Sequence, residues 1–130
     1  MQTICKRLRR GDDLLLSIRR LAEEYGLQAG VVLSAVGCLN RLRVRDASGV
    51  TVRTVEEDVE IVSLTGTVST QRTHLHISCA REDLSCLGGH LVEGCVVNTT
   101  CELVIGILDG WRFGAERDEA TGYDEIVFLR

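Results

Sequence analysis

Only one stretch of this chain has helical periodicity, and that limits the fold more than any other feature. In DDLLLSIRRLAEEYG (12–26), Leu14, Ile18, Leu21, Ala22 and Tyr25 recur at the spacing of a single helical face. Asp12 is placed to cap its start, Asp13 suits the positive end of the helix dipole, and Gly26 supplies the left-handed residue that ends it. Arg19 with Glu23, and Arg20 with Glu24, are spaced to pair along its surface.

The other apolar segments read as strands. They are QTICKRLRR (2–10), GVVLSAVGCLNRLRVRD (30–46), VTVRTV (50–55), DVEIVSLTGTVST (58–70), THLHISCA (73–80), EGCVVNTTCELVIGIL (93–108) and YDEIVFLR (123–130). Gly37 marks a bend or bulge, DASG (46–49) a turn, and Asp109-Gly110 another. In 93–108 the residues Cys95, Val97, Thr99, Cys101, Leu103, Ile105 and Ile107 fall on one strand face. A doubly wound parallel sheet needs helices on both faces, and one helix cannot supply them. The expected fold class is therefore α+β: a twisted, mostly antiparallel sheet of about six to eight strands with one main helix. A single domain spanning 1–130 is the natural organisation for this length.

Composition narrows the class. A chain that is 45% hydrophobic and 26% charged is neither disordered nor collagenous. No stretch approaches the ~18 apolar residues of a membrane span, and MQTICKRLRRGDD has no apolar signal-peptide core. None of Cys5, Cys38, Cys79, Cys86, Cys95 and Cys101 shows C-x-x-C spacing, and most lie in apolar runs. Reduced, mostly buried thiols and a cytoplasmic location are the expectation. Charge is uneven: residues 1–53 hold ten Lys/Arg against five acids, whereas 54–130 hold five against fourteen. Such an asymmetry fits either an anion-binding face or two solvated faces that neutralise each other.

All three histidines fall within residues 74–90. His74 and His76, two apart on a strand, share a face. His90 follows Gly88-Gly89, a pair suited to a tight turn that would return the backbone to that face. Three neutral imidazoles suit zinc best, with nickel, cobalt and iron(II) as other candidates, and they leave a fourth position for water, a carboxylate or another small ligand. A lone histidine is more often an ordinary half-buried side chain; the clustering sets the metal reading level with that one.

The ordered set EIVSLTGTVS, THLHISCA and LGGHLVEGCVVNTTCELVI resembles the stand-alone prokaryotic form of the PPC (plants and prokaryotes conserved) domain family. RGDDLLLSIRRLAEEYGLQAGVVLSAVGCLNRLRVRD is similar to that family's first strand, helix and second strand. The resemblance covers about residues 4–108, with Cys101 standing where the family usually has Ala. It implies a homotrimer with few helices on a twisted sheet, zinc or another divalent transition metal, one per subunit, on His74, His76 and His90, and a DNA-binding or regulatory role. In plants the domain is fused to AT-hooks; this sequence contains no Arg-Gly-Arg-Pro core.

Three functional classes follow. For DNA binding the candidate contacts are Arg41, Arg43 and Arg45, on one strand face, with Lys6, Arg7, Arg9 and Arg10 near the N-terminus. Against it stand an acidic pI of about 5.4 and an aromatic content of 4%. For a zinc-dependent enzyme or small-molecule-binding protein, Glu102 is the candidate general base, because an acid in so apolar a strand calls for a partner. For an interaction module, the partner is a further copy of the chain.

Overall fold

In the computed structural model, which describes residues 1–130, the elements run β1 (Gln2–Arg9), α1 (Leu14–Glu24), β2 (Gly30–Arg45), β3 (Val52–Val55), β4 (Val59–Val68), β5 (Thr73–Ala80), β6 (Cys86–Leu91), β7 (Val96–Ile107), β8 (Arg112–Asp118) and β9 (Tyr123–Leu129). This is the expected α+β class. Seven strands form one sheet in the order β1-β7-β2-β4-β5-β6, with β3 attached to β2. All strand pairs are antiparallel. The far end of β2 also pairs with β6, so β2, β4, β5 and β6 close into a circuit. No helix is long and apolar enough to cross a membrane.

α1 buries Leu14, Leu15, Ile18, Leu21 and Ala22. Its cap is Asp13, not Asp12. One Asp13 oxygen accepts from Leu16 N at 3.0 Å and the other from Gly94 N at 2.8 Å. Asp12 instead belongs to the β1–α1 turn, where its carboxylate accepts from Arg9 N and its carbonyl from Val97 N. Tyr25 is exposed, since the helix stops at Glu24 and Gly26, at φ 56°, turns the chain away. Arg19 reaches Glu93 at 2.9 Å rather than pairing along the helix.

The core is one cluster of 26 residues joining α1 to the sheet. Along β7, Cys95, Val97, Cys101, Leu103 and Ile105 are buried as expected, each apolar side chain worth about 1.5–3 kcal/mol relative to exposure. Thr99 departs from that face: its φ of 58° rotates it outward, at the bulge where β2 shifts register between Gly37 and Cys38. All six cysteines are free thiols, three of them buried, while Cys5 and Cys86 are exposed.

The C-terminal segment departs from the sequence expectation. YDEIVFLR forms a strand, but it pairs only with β8 in a separate hairpin. Phe113 anchors this hairpin, buried against the body, and Phe113 N donates to the Gln28 carbonyl.

Gly88 and Gly89 lie inside β6 and do not form a turn. The reason is steric. A Cβ on Gly88 would overlap the Ile77 carbonyl oxygen of β5, and one on Gly89 would sit 2.6 Å from the Arg45 carbonyl oxygen of β2. Glycine lets β6 press against both neighbours and close the circuit. Gly88→Ala is therefore expected to destabilise the protein by roughly 1–3 kcal/mol, the usual cost of forced overpacking. A chemical-denaturation midpoint equal to that of wild type would contradict this.

Candidate metal centre

Strand alternation builds the first half of the site. Leu75, Ile77 and Cys79 point into the core, so His74 and His76 point outward from β5. Strand register builds the second half. His76 and His90 are directly opposed across β5 and β6, so the third imidazole arrives from a neighbouring strand and not from a turn. The ring centroids lie 5.2, 5.4 and 5.6 Å apart, and one nitrogen from each ring lies within 4.8 Å of the others. Around a tetrahedral zinc ion those nitrogens would be roughly 3.4 Å apart, given Zn–N bonds of about 2.0–2.1 Å.

The electrostatics keep two of these imidazoles in the ligating form. Burial pushes His90 down to about 4, assisted by the Arg45 guanidinium and then by His74 and His76. Burial also lowers His74, with His76 and Arg72 acting in the same direction and Glu125 opposing them. Neutral imidazole is what a metal requires. Across the chain only two buried side-chain polar atoms lack a hydrogen-bond partner, Arg45 Nε and His90 Nδ1, and both belong to this neighbourhood. Buried polar atoms are nearly always satisfied, so these two set the neighbourhood apart. The histidines thus fit a divalent transition metal. Cys79 does not join them: it faces the core, and burial raises its thiol to about 12.

The other candidates are distributed differently. Glu102 sits on the exposed face of β7, opposite Arg7 on β1 and Val36 on β2. His90 meets β2 at Arg45, nine residues beyond Val36, roughly 30 Å along an extended strand. Glu102 is thus not brought to the histidines, and its exposure answers the partner argument. Arg41, Arg43 and Arg45 do not make one free basic strip. Arg41 lies 3.7 Å from Glu56, Arg43 donates to the Glu93 carbonyl, and Arg45 sits opposite His90 on β6.

Sequence reasoning missed two neighbours of the cluster, Arg72 and Glu125. Arg72 Nη1 donates to the Asp124 carbonyl at 3.4 Å, holding β9 near the start of β5 and bringing Glu125 within electrostatic reach of His74. The separation of 52 residues left no local signal for that contact. A groove of about 350 Å³ also opens beside His90, lined by Thr73, Val52, Leu91, Arg43 and the Arg19–Glu93 pair.

Comparison with known proteins places this geometry in context. The model of the Plants and Prokaryotes Conserved (PCC) domain matches residues 1–109. The bifunctional protein GlmU of Synechococcus sp. (strain JA-2-3B'a(2-13)) is 40% identical over 120 residues, covering 92% of this chain and 19% of that protein. The chain thus spans about a fifth of the length of the curated relatives it matches. Among solved structures, a hypothetical protein from Salmonella cholerae-suis superposes with a TM-score of 0.95 at 29% identity, covering 98% of this chain and 93% of that one. A metal-containing protein from Archaeoglobus fulgidus superposes with a TM-score of 0.80 at 27% identity, covering 100% and 94%. A candidate DNA-binding protein from Bacteroides thetaiotaomicron, with a TM-score of 0.86 and 24% identity over 98% and 93%, shares the fold.

The shifted imidazole carries a pH signature in metal-free protein. An unfolded histidine titrates near 6.5, the folded His90 near 4. Between those values the unfolded chain binds a proton that the folded one refuses. The stability contribution of neutral His90 is therefore complete above about 6.5 and declines as the pH falls towards 4. NMR titration of metal-free protein is expected to keep His90 neutral at pH 5, and Arg45→Gln is expected to raise its midpoint. A His90 midpoint near 6.5 in wild type would contradict the assignment.

Proposed function

The chain belongs to the Plants and Prokaryotes Conserved domain family, and we propose that it acts as a homotrimer whose subunits each bind one divalent transition metal, zinc foremost, through His74, His76 and His90. The observation that carries this reading is the convergence of three imidazoles from two paired strands, next to the only two unsatisfied buried side-chain atoms in the chain. The metal-containing relative from Archaeoglobus fulgidus supports it. An ion held there ties β5 to β6 and offers a fourth position to water or a small ligand. The groove beside His90 and the nearby Glu125 favour small-molecule binding, or zinc-dependent chemistry, as the next reading.

Assembly is supported by an exposed apolar strip. Val36 on β2 and Val62 on β4 fall between the Val31–Thr67 and Cys38–Glu60 pairs, and Leu33 lies in the same stretch of β2. They are 57%, 59% and 49% exposed in the single chain, and α1 covers the other side of the sheet. Burial of such a strip between copies supplies a driving force for association.

A DNA-binding role rests on the description given to the Bacteroides relative and on a different set of cations from the strand arginines. Lys6, Arg7, Arg9 and Arg20 form no ion pair and line a groove of about 470 Å³ between β1 and α1. Contacts from that groove to phosphates would be non-specific and salt-sensitive.

Elemental analysis of tag-free protein is expected to find one zinc, or another divalent transition ion, per subunit. Replacing any one of the three histidines by Ala is expected to lower both metal content and melting temperature. Wild type that is free of metal and takes up no zinc on titration would overturn the metal reading. Light scattering is expected to give three times the 14.3 kDa subunit mass. Val62→Arg is expected to shift that mass towards one subunit, and a monomeric wild type at micromolar concentration would refute the trimer.

A further inference from the structure

We propose that Arg45 and a metal ion on the three histidines together form a receptor for a small oxyanion, a carboxylate or phosphate group. The inference rests on the metal reading above and adds the chemical class of the ligand and the residue that selects it.

Arg45 ends β2 directly opposite His90 on β6, so the two side chains leave the paired strands on one face. Its Nε is buried and donates to nothing in the protein. A guanidinium keeps its protons at any physiological pH, so this donor cannot be silenced by titration. A buried charged donor with no acceptor is costly, and no nearby carboxylate relieves it. The adjacent acid, Asp46, is committed elsewhere: its oxygens accept from Ser48 and from Arg53 Nε at 2.9 Å. Arg45 takes part in none of the five ion pairs. The protein has thus placed a cation beside a metal-ligand set and given it no anion of its own.

The guanidinium lies on the strand position paired with His90, beside the cluster. Once a divalent ion is bound, two cationic centres face each other. An anion bridging them is the arrangement that turns this repulsion into attraction: one oxygen on the metal's fourth position, another on the guanidinium fork. Glu125 does not fill that role. It makes no ion pair with Arg45. Arg72, the second cation near His74, already donates to the Asp124 carbonyl. A groove lined by His90 and by Val52, the residue opposite Arg45 on β3, opens beside the cluster. Its volume of about 350 Å³ suits a small molecule rather than a nucleic-acid backbone.

The test uses the full chain loaded with cobalt(II), whose visible absorption reports its coordination. Cobalt stoichiometry is measured first, and then inorganic phosphate and acetate are titrated separately. Wild type is expected to bind one cobalt per subunit and to show a saturable spectral change with at least one anion; the tighter of the two assigns phosphate or carboxylate. Arg45→Gln is expected to keep the cobalt stoichiometry but weaken anion affinity about tenfold or more, as loss of a charge-assisted bidentate contact should. Arg45→Lys, which keeps the charge and loses the fork, is expected to fall between them and serves if the Gln variant does not fold. Failure to bind cobalt would remove the metal reading itself. Normal cobalt binding with no anion response, or with equal anion affinity in wild type and the Arg45 variants, would overturn this proposal alone.

Discussion

Strand β2 is the element on which the rest of the molecule depends. It runs for 16 residues and pairs with β7 and β6 along one edge and with β4 and β3 along the other. A straight strand of that length could not meet all four. β2 bends through register shifts at Val32/Ser34, Gly37/Cys38 and Leu39/Arg41. Gly37 permits the middle one because any Cβ there would overlap the Thr100 carbonyl oxygen of β7. The bend carries the end of β2 round to β6, and that contact sets Arg45 beside His90.

The histidine cluster inherits its precision from this backbone. Two imidazoles are fixed by the alternation of β5, and the third by a register that a one-residue slip would turn to the other face. Ordered strands make a better platform for converging ligands than loops do. The neighbourhood is also electrically unusual for a chain with a net charge of −4. Arg45 and Arg72 both oppose protonation of His74, while Glu125 alone among the nearby acids favours it.

The arginines show how far a strand pattern can mislead. Arg41, Arg43 and Arg45 alternate correctly for one face, and on a flat sheet they would make a basic strip. On the bent β2 they meet three different environments: a glutamate on the β3–β4 connection, a backbone carbonyl before β7, and the histidines. Other cations without an ion pair lie on β1 and α1, where the free edge of β1 leaves Arg7 and Arg9 in solvent and also discourages edge-to-edge association.

Local rules made much of this protein legible in its sequence. The helix, its glycine stop, most strands and the shared face of His74 and His76 follow from periodicity, because each depends only on residues within a few positions. The ordered motifs from EIVSLTGTVS to CELVI also carried the family. Tertiary structure decided what depends on contacts between distant segments. It chose Asp13 over Asp12 as the cap because Asp12 is tied to β7. It set Gly88-Gly89 inside a strand because that strand is squeezed between β5 and β2. It turned Glu102 to solvent and brought Arg72, Glu125 and Arg45 to the histidines, through contacts between residues about 45 to 95 positions apart that leave no periodic trace. Which residues may ligate an ion is a matter of side-chain chemistry, visible in one dimension; which groups surround that ion is set by strand register and bending, visible only in three.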